Sequence, residues 1–260
     1  MTERRVKIDP ADLPEESLEG SSYLLPEDAA HYLRDVLRLE PGDEIELFDG
    51  TGRLLQGTIQ STREDVVRVG IFDDELHLIN ESPREVVLCQ SIPKGKRWRW
   101  VLEKGTEMGV QKIVPLESRH TVVRVPESKL DNKLERWRRI LGEAARQCER
   151  SRTPQIVAPR TLSEVLDSNF DGRDVVLHAR ADAPPLPSVL ERISDAIDDT
   201  SPIRIWIGPE GGFSDEEVEK FEREGVDFAR LGSRILRTET AAVVTAAIVQ
   251  EHLGDLNEPG

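Results

Sequence analysis

Few residues here suit a structural zinc site or a disulfide framework. The 260-residue chain has two cysteines, Cys89 and Cys148, and five scattered histidines, His31, His77, His120, His178 and His252. They form no Cys-x-x-Cys pair and no histidine cluster, so neither a structural zinc site nor a disulfide-stapled fold is expected. Cys89 falls in the apolar run Val86-Val87-Leu88-Cys89 and reads as a core residue, whereas Cys148 lies in a charged helical stretch. Long hydrophobic runs are also missing. Nothing approaches the ~18 consecutive apolar residues of a membrane span. The start, Met1-Thr2-Glu3-Arg4-Arg5-Val6-Lys7, lacks the apolar stretch of a secretory signal. These absences predict a cytoplasmic protein with no membrane partner and no metal.

Positive charge is scarce overall: 35 Lys and Arg stand against 50 Asp and Glu, a formal net charge of −15. As a sum, this opposes a polyanionic partner. The distribution argues the other way. Residues 92–112 hold Lys94, Lys96, Arg97, Arg99, Lys104 and Lys112 against only Glu103 and Glu107. Residues 129–152 are rich in Lys and Arg, with Arg146 and Arg150 four apart on the expected helix face. The acid gathers elsewhere, as in Asp73-Asp74-Glu75 and Asp215-Glu216-Glu217. Two basic segments on an acidic body are compatible with RNA at one face, and equally with ordinary solvated helix faces. Excess carboxylate is also a means of keeping proteins soluble in concentrated salt.

Up to about residue 72 the chain reads as short strands and turns. Ile45-Glu46-Leu47-Phe48 runs into the turn Asp49-Gly50-Thr51-Gly52, and 54–59 and 66–72 have strand composition. One short helix fits 26–37. The polar stretch 73–84 ends in Ser82-Pro83 and marks a boundary. From Glu85 strands and helices alternate: strands over 85–91, 112–116, 174–178, 203–207 and 226–229, helices over 97–108, 132–150 and 238–253, and a capping box at Thr161-Leu162-Ser163-Glu164. The alternation predicts an α/β domain with a mostly parallel sheet covered on both faces, preceded by a small β-rich domain.

Ligands of open α/β sheets bind beyond the carboxyl ends of the strands. Three such ends stand out: 175–177 running into His178-Ala179-Arg180, 205–207 running into Gly208-Pro209-Glu210-Gly211-Gly212, and 228–231 running into Gly232. The first glycine-rich loop leads into a capping box at Ser214-Asp215-Glu216-Glu217. It has no lysine, and three acids occupy the first turn of the helix, so it matches neither phosphate-binding glycine motif. A cationic sulfonium, or a neutral adenosine held by backbone groups, suits it better. The second loop, Leu231-Gly232-Ser233-Arg234-Ile235-Leu236-Arg237-Thr238-Glu239-Thr240, joins an apolar hook to a helix with Thr238 expected as its N-cap. The helix behind it is apolar nearly all round and must be buried against the sheet or a partner subunit.

These two loops, with Lys94-Gly95-Lys96, Glu103-Lys104-Gly105-Thr106-Glu107-Met108-Gly109-Val110, Glu143-Ala144-Ala145-Arg146-Gln147-Cys148 with Arg150, and His31, Val36-Leu37-Arg38 and Gly42-Asp43, fall in one order along the chain. In that order they resemble the 16S rRNA uridine-N3 methyltransferases of the SPOUT (knotted) superfamily. The resemblance covers nearly the whole chain. It implies a PUA-like RNA-binding β-barrel over residues 1–75 and a SPOUT methyltransferase domain over 85–255 with a trefoil knot, which topology rules treat as a rare exception. It also implies S-adenosyl-L-methionine as cofactor, a homodimer with the cofactor site at the subunit interface, and 16S rRNA in the small ribosomal subunit as partner.

On the same resemblance Leu177, Gly208, Glu210, Gly212, Leu231, Gly232, Ile235, Leu236 and Arg237 are expected to line the cofactor pocket. His31, Arg38, Lys94, Lys96, Arg97 and Arg146 are expected at the RNA. Uridine N3 must lose a proton to become nucleophilic, so a carboxylate is needed to accept it and an arginine to stabilise charge on O2 and O4. Glu239, Arg237, Arg150 and Glu143 are the catalytic candidates, with Glu210 and Arg234 close in sequence to the same loops. An acid at a helix N-terminus such as Glu239 is also favourable without catalytic duty, so the base is open at this level. Two other readings stay open: a SPOUT ribose 2′-O methyltransferase, and a non-catalytic RNA-binding assembly factor.

Overall fold

The computed structural model describes residues 4–62, 66–76, 78–179, 182–198 and 200–256; His77, Arg180 and the first three residues lie outside them. The chain divides into two units, Met1–Glu81 with Gly142–Thr153, and Ser82–Leu141 with Pro154–Gly260.

In the first unit β1 (Arg5–Lys7), β2 (Ser22–Leu24), β3 (Glu44–Phe48), β4 (Arg53–Ser61) and β5 (Arg68–Leu76) form one sheet in the order β1-β3-β4-β5-β2. Only the β1–β3 pair is parallel. Alternate residues such as Ile45, Leu47, Leu55, Ile59, Val69 and Ile71 point into a core closed by Ala30 and Leu33. Those two come from α1 (Glu27–His31) and the π-helical turn Tyr32–Val36 that continues it. The acids Asp73, Asp74 and Glu75, expected in a polar connector, instead belong to β5. Ladder pairing explains the difference: they register against Gln56, Leu55 and Leu54 of β4. Arg53 then donates from Nε and Nη2 to the two Asp74 oxygens at 2.8 and 2.7 Å, and the Leu18 N–H donates at 2.7 Å. With its side chain 2% exposed, Asp74 needs such partners. Its carboxyl is held below the usual range, foremost by the Arg53 hydrogen bonds.

The second unit is a parallel α/β structure. Its strands are β6 (Val86–Ser91), β7 (Lys112–Glu117), β8 (Gln155–Ile156), β9 (Arg160–Thr161), β10 (Arg173–Leu177), β11 (Ile203–Ile207) and β12 (Asp227–Ala229). They order as β12-β10-β11-β6-β7-β8, with β9 also paired to β7. Every residue of β6 and β11 is buried, as strands covered on both faces must be. Val86, Leu88, Ile203, Ile205 and Ile207 face one core with α2 (Arg97–Glu107), the first part of α3 (Leu130–Gln147), α5 (Leu186–Ser194) and α7 (Thr238–Leu253). Val87, Cys89 and Trp206 face another with α4 (Leu162–Leu166) and α6 (Asp215–Arg223). Burial raises the Cys89 thiol far above its ordinary pKa, which suits a core residue and not a nucleophile.

Two helix ends differ from the sequence expectation. α3 stops at Gln147, and Glu149 takes φ 62°, so Arg150 leaves the helical face it was expected to share with Arg146. Arg237, not Thr238, is the N-cap of α7, and it makes no capping hydrogen bond with its side chain; the Thr238 hydroxyl is used elsewhere.

Candidate active site

Three loops meet beyond the carboxyl ends of β10, β11 and β12 and enclose a cavity of about 990 Å³. That lies at the upper end of the volumes typical of small-molecule sites, roughly 300–1,000 Å³. Leu177, Gly208, Glu210, Gly212, Leu231, Gly232, Ile235, Leu236 and Arg237 all line it, together with His178, Phe213, Arg234 and Thr238. Gly212 and Gly232 take φ of 70° and 68°, and a Cβ at either would meet nothing within 4 Å. Both therefore supply left-handed backbone, disfavoured for L side chains, and leave open space beside it. Ile235 is 89% exposed, an unusual state for an isoleucine.

The two glycine-bearing loops are tied together from below. Thr238 Oγ1 donates to the Gly208 carbonyl at 2.6 Å and accepts from Gln90 Nε2 at 2.8 Å; Gln90 also donates to the Ser91 carbonyl at 2.7 Å. Gln90 is fully buried. Sequence reasoning passed over it, although a polar pair, Gln90-Ser91, at the end of the apolar run 86–89 is itself a signal. Ser214 opens α6 with the capping box read from the sequence: its Oγ accepts from Glu217 N–H, and Glu217 Oε2 accepts from Ser214 N–H at 2.8 Å.

Glu239 sits one residue inside α7 with its side chain 11% exposed. Its Oε2 has no hydrogen-bond partner among the described residues. Its Oε1 lies 3.7 Å from Arg97 Nε, and Arg97 Nη1 donates to Glu210 Oε1 at 2.9 Å. Arg97, expected at RNA, thus stands between two carboxylates from the two loops. Lys94 and Lys96 are exposed just before it.

The other expected site residues fall in the first unit. Arg150 is 3% exposed on its side chain, and its Nη2 donates to Glu81 Oε2 at 2.6 Å. Glu143 is exposed on α3. Arg146 places its guanidinium 5.4 Å from the Tyr32 ring centroid. His31 is paired with Asp35; the Arg34 and His31 side chains hold the Asp35 carboxyl down to about 2. Arg38 is exposed, with φ 54°.

A cavity in the loops past the strand ends of a parallel sheet is the usual ligand site of an α/β domain, and two family models narrow this one to an RNA methyltransferase with a PUA domain. Residues 80–250 match the family model described as RNA methyltransferase domain, and residues 25–72 match RNA methyltransferase PUA domain. Ribosomal RNA small subunit methyltransferase E of Bacillus subtilis is 30% identical over 89% of this chain and 90% of its own length. Its Synechocystis counterpart is 31% identical over 90% and 74%. The chain belongs to this ribosomal RNA small subunit methyltransferase E family. Among solved structures, a Legionella pneumophila methyltransferase in complex with bound SAM superposes with TM-score 0.82 at 30% identity, covering 97% of this chain and 98% of the other. The Neisseria gonorrhoeae member bound to S-adenosyl methionine also gives 0.82, at 28% identity and 98% and 99% coverage.

Proposed function

We propose that this chain methylates N3 of a uridine in the 16S rRNA of the small ribosomal subunit, using S-adenosyl-L-methionine held in the cavity at the carboxyl ends of β10, β11 and β12. The observation that carries the reading is that cavity: glycine backbone, apolar walls and Glu210, with Asp215, Glu216 and Glu217 in the helical turn behind. The glycine backbone and apolar walls suit a flat base, and Glu210 suits a cationic sulfonium or ammonium group, while Arg230, Arg234 and Arg237 on the facing wall suit a carboxylate. The open backbone at Gly212 and Gly232 fits a base laid flat against it. When bound, the cofactor supplies an electrophilic methyl group.

The chain's own residues must orient the uridine and take its proton. Glu239 is assigned as the base. It is largely desolvated and one oxygen has no hydrogen-bond partner among the described residues, so it has acceptor capacity for the N3 proton. Arg237, at the cavity wall, is assigned to stabilise charge developing on O2 and O4. Arg150, committed to Glu81, receives no part in the chemistry, and Glu143, exposed on α3, is kept as a catalytic candidate on the uridine side. His31, Arg38, Lys94, Lys96, Arg97 and Arg146 form the proposed RNA contacts. The partition is residues 1–75 for RNA binding and 85–255 for catalysis, the latter with the trefoil knot that the family resemblance implies.

A homodimer in the cytoplasm completes the reading. On α7 the residues Ala242, Thr245, Ala246 and Val249 are buried, while Val244 and Ala247, on the opposite stripe, are only half-buried. With Ile235 exposed beside the cavity, these give a second copy an apolar surface to cover. The test is incubation of the purified chain with labelled S-adenosylmethionine and undermethylated small-subunit particles, followed by nucleoside digestion. Label in 3-methyluridine is expected; label in a 2′-O-methylated ribose, or none, would overturn the assignment.

A further inference from the structure

Arg97 begins α2 and is not part of the cavity wall, yet its guanidinium is held by a residue that is. The bond from Nη1 to Glu210 Oε1 is 2.9 Å, and Glu210 belongs to the loop 208–212 that forms one side of the cavity. The two side chains are 42% and 38% exposed, so the pair stands at the solvent-facing edge of the site. Among the described residues one of the five N–H donors of this guanidinium is hydrogen-bonded, to Glu210, and Glu239 lies 3.7 Å from another. A planar donor fork of this kind is suited to a phosphodiester, and Lys94 and Lys96 precede it on the surface.

We propose that the Glu210–Arg97 pair couples cofactor binding to RNA binding. This rests on the reading of the cavity as the S-adenosylmethionine site. A glycine-rich loop has many conformations open to it, and a ligand packed against it restricts them. Glu210 is then fixed, Arg97 is held in the orientation that receives a backbone phosphate, and the RNA loses less side-chain freedom on arrival. Coupling of this kind is reciprocal: each ligand tightens the other by the same factor. Because the pair is partly exposed, the expected factor is modest, about two- to five-fold.

The experiment measures the affinity of the full-length chain for undermethylated small-subunit particles, with and without saturating S-adenosylhomocysteine, the unreactive product. It compares the wild type, Glu210→Gln, Arg97→Ala and the double variant. Saturation is set separately for each variant by calorimetry. The wild type is expected to bind particles two- to five-fold more tightly with the product present. In each single variant that ratio is expected to fall to about one, with no further fall in the double variant. A full ratio in Glu210→Gln, a ratio of one in the wild type, or tighter particle binding by Glu210→Gln in the absence of product would each overturn the coupling. Failure of S-adenosylhomocysteine to bind the wild type at all would instead remove the cofactor reading on which it stands.

Discussion

Thr238 and Gly208 are joined by a hydrogen bond of 2.6 Å from the threonine hydroxyl to the glycine carbonyl. The bond links the start of α7 to the loop after β11, and Gln90 holds the same hydroxyl from the end of β6. Thr238→Val keeps the shape of the side chain and removes both bonds. A buried hydrogen bond contributes about 1 kcal/mol, with a further cost for each partner left unsatisfied. S-adenosylmethionine affinity measured by calorimetry should fall about tenfold, which corresponds to ~1.4 kcal/mol. Unchanged affinity would show that the clamp does not shape the cavity.

Glu239 lies next in the chain, so the clamp also sets where its carboxylate stands. Glu239→Gln keeps the volume and removes the basicity. Methylation under single-turnover conditions should drop by about 10²–10⁴, the usual contribution of a general base, with cofactor affinity within about threefold of wild type. Full activity in the variant would return Glu239 to the role of a favourable acid at a helix N-terminus.

Val244 faces away from the buried stripe of α7 and is only half-buried. Val244→Arg should shift the chain from dimer to monomer in sedimentation equilibrium, with the far-ultraviolet dichroism of the fold retained. If the wild type itself sediments as a monomer, the proposed dimer fails at the first step.

The Arg53–Asp74 pair gives the first unit an acid dependence. The folded Asp74 carboxyl titrates below its unfolded value because of Arg53. Its contribution is therefore fully present above the ordinary aspartate pKa of ~3.9 and is lost as pH falls through the lower folded value. Thermal stability should fall as pH drops below about 4. Asp74→Asn should remove that part of the acid dependence and destabilise the fold near neutrality by about 1–3 kcal/mol, the cost of the charge-assisted hydrogen bonds lost by a half-buried guanidinium that keeps the Pro14 and Glu16 carbonyls. An unaltered melting temperature and acid slope in Asp74→Asn would contradict this.

Much of this was legible in the sequence where local chemistry decides the outcome. The apolar run 86–89 and the segment 203–207, apolar but for Arg204, read as buried strands, and Ser214 with Glu217 caps α6 as a capping box should. The glycines of the two loops mark the cavity because left-handed backbone and bare surface are glycine properties. What escaped depends on partners distant in the chain. Gln90 finds Thr238 148 residues away. Arg150, taken as a catalytic candidate from the central-helix motif, finds Glu81 69 residues away and is buried there. The acids of β5 look like connector until β4 lies beside them. A periodicity reading sees none of these pairings.

The most direct measurement of the central claim is mass-spectrometric mapping of 16S rRNA from a strain deleted for its own family member, with and without this chain restored. The account predicts one uridine that is unmethylated in the deletion and carries a base methyl at N3 after restoration, with no restoration by Glu239→Gln. A restored methyl on a ribose 2′ oxygen, or rRNA identical in the two strains, would contradict it.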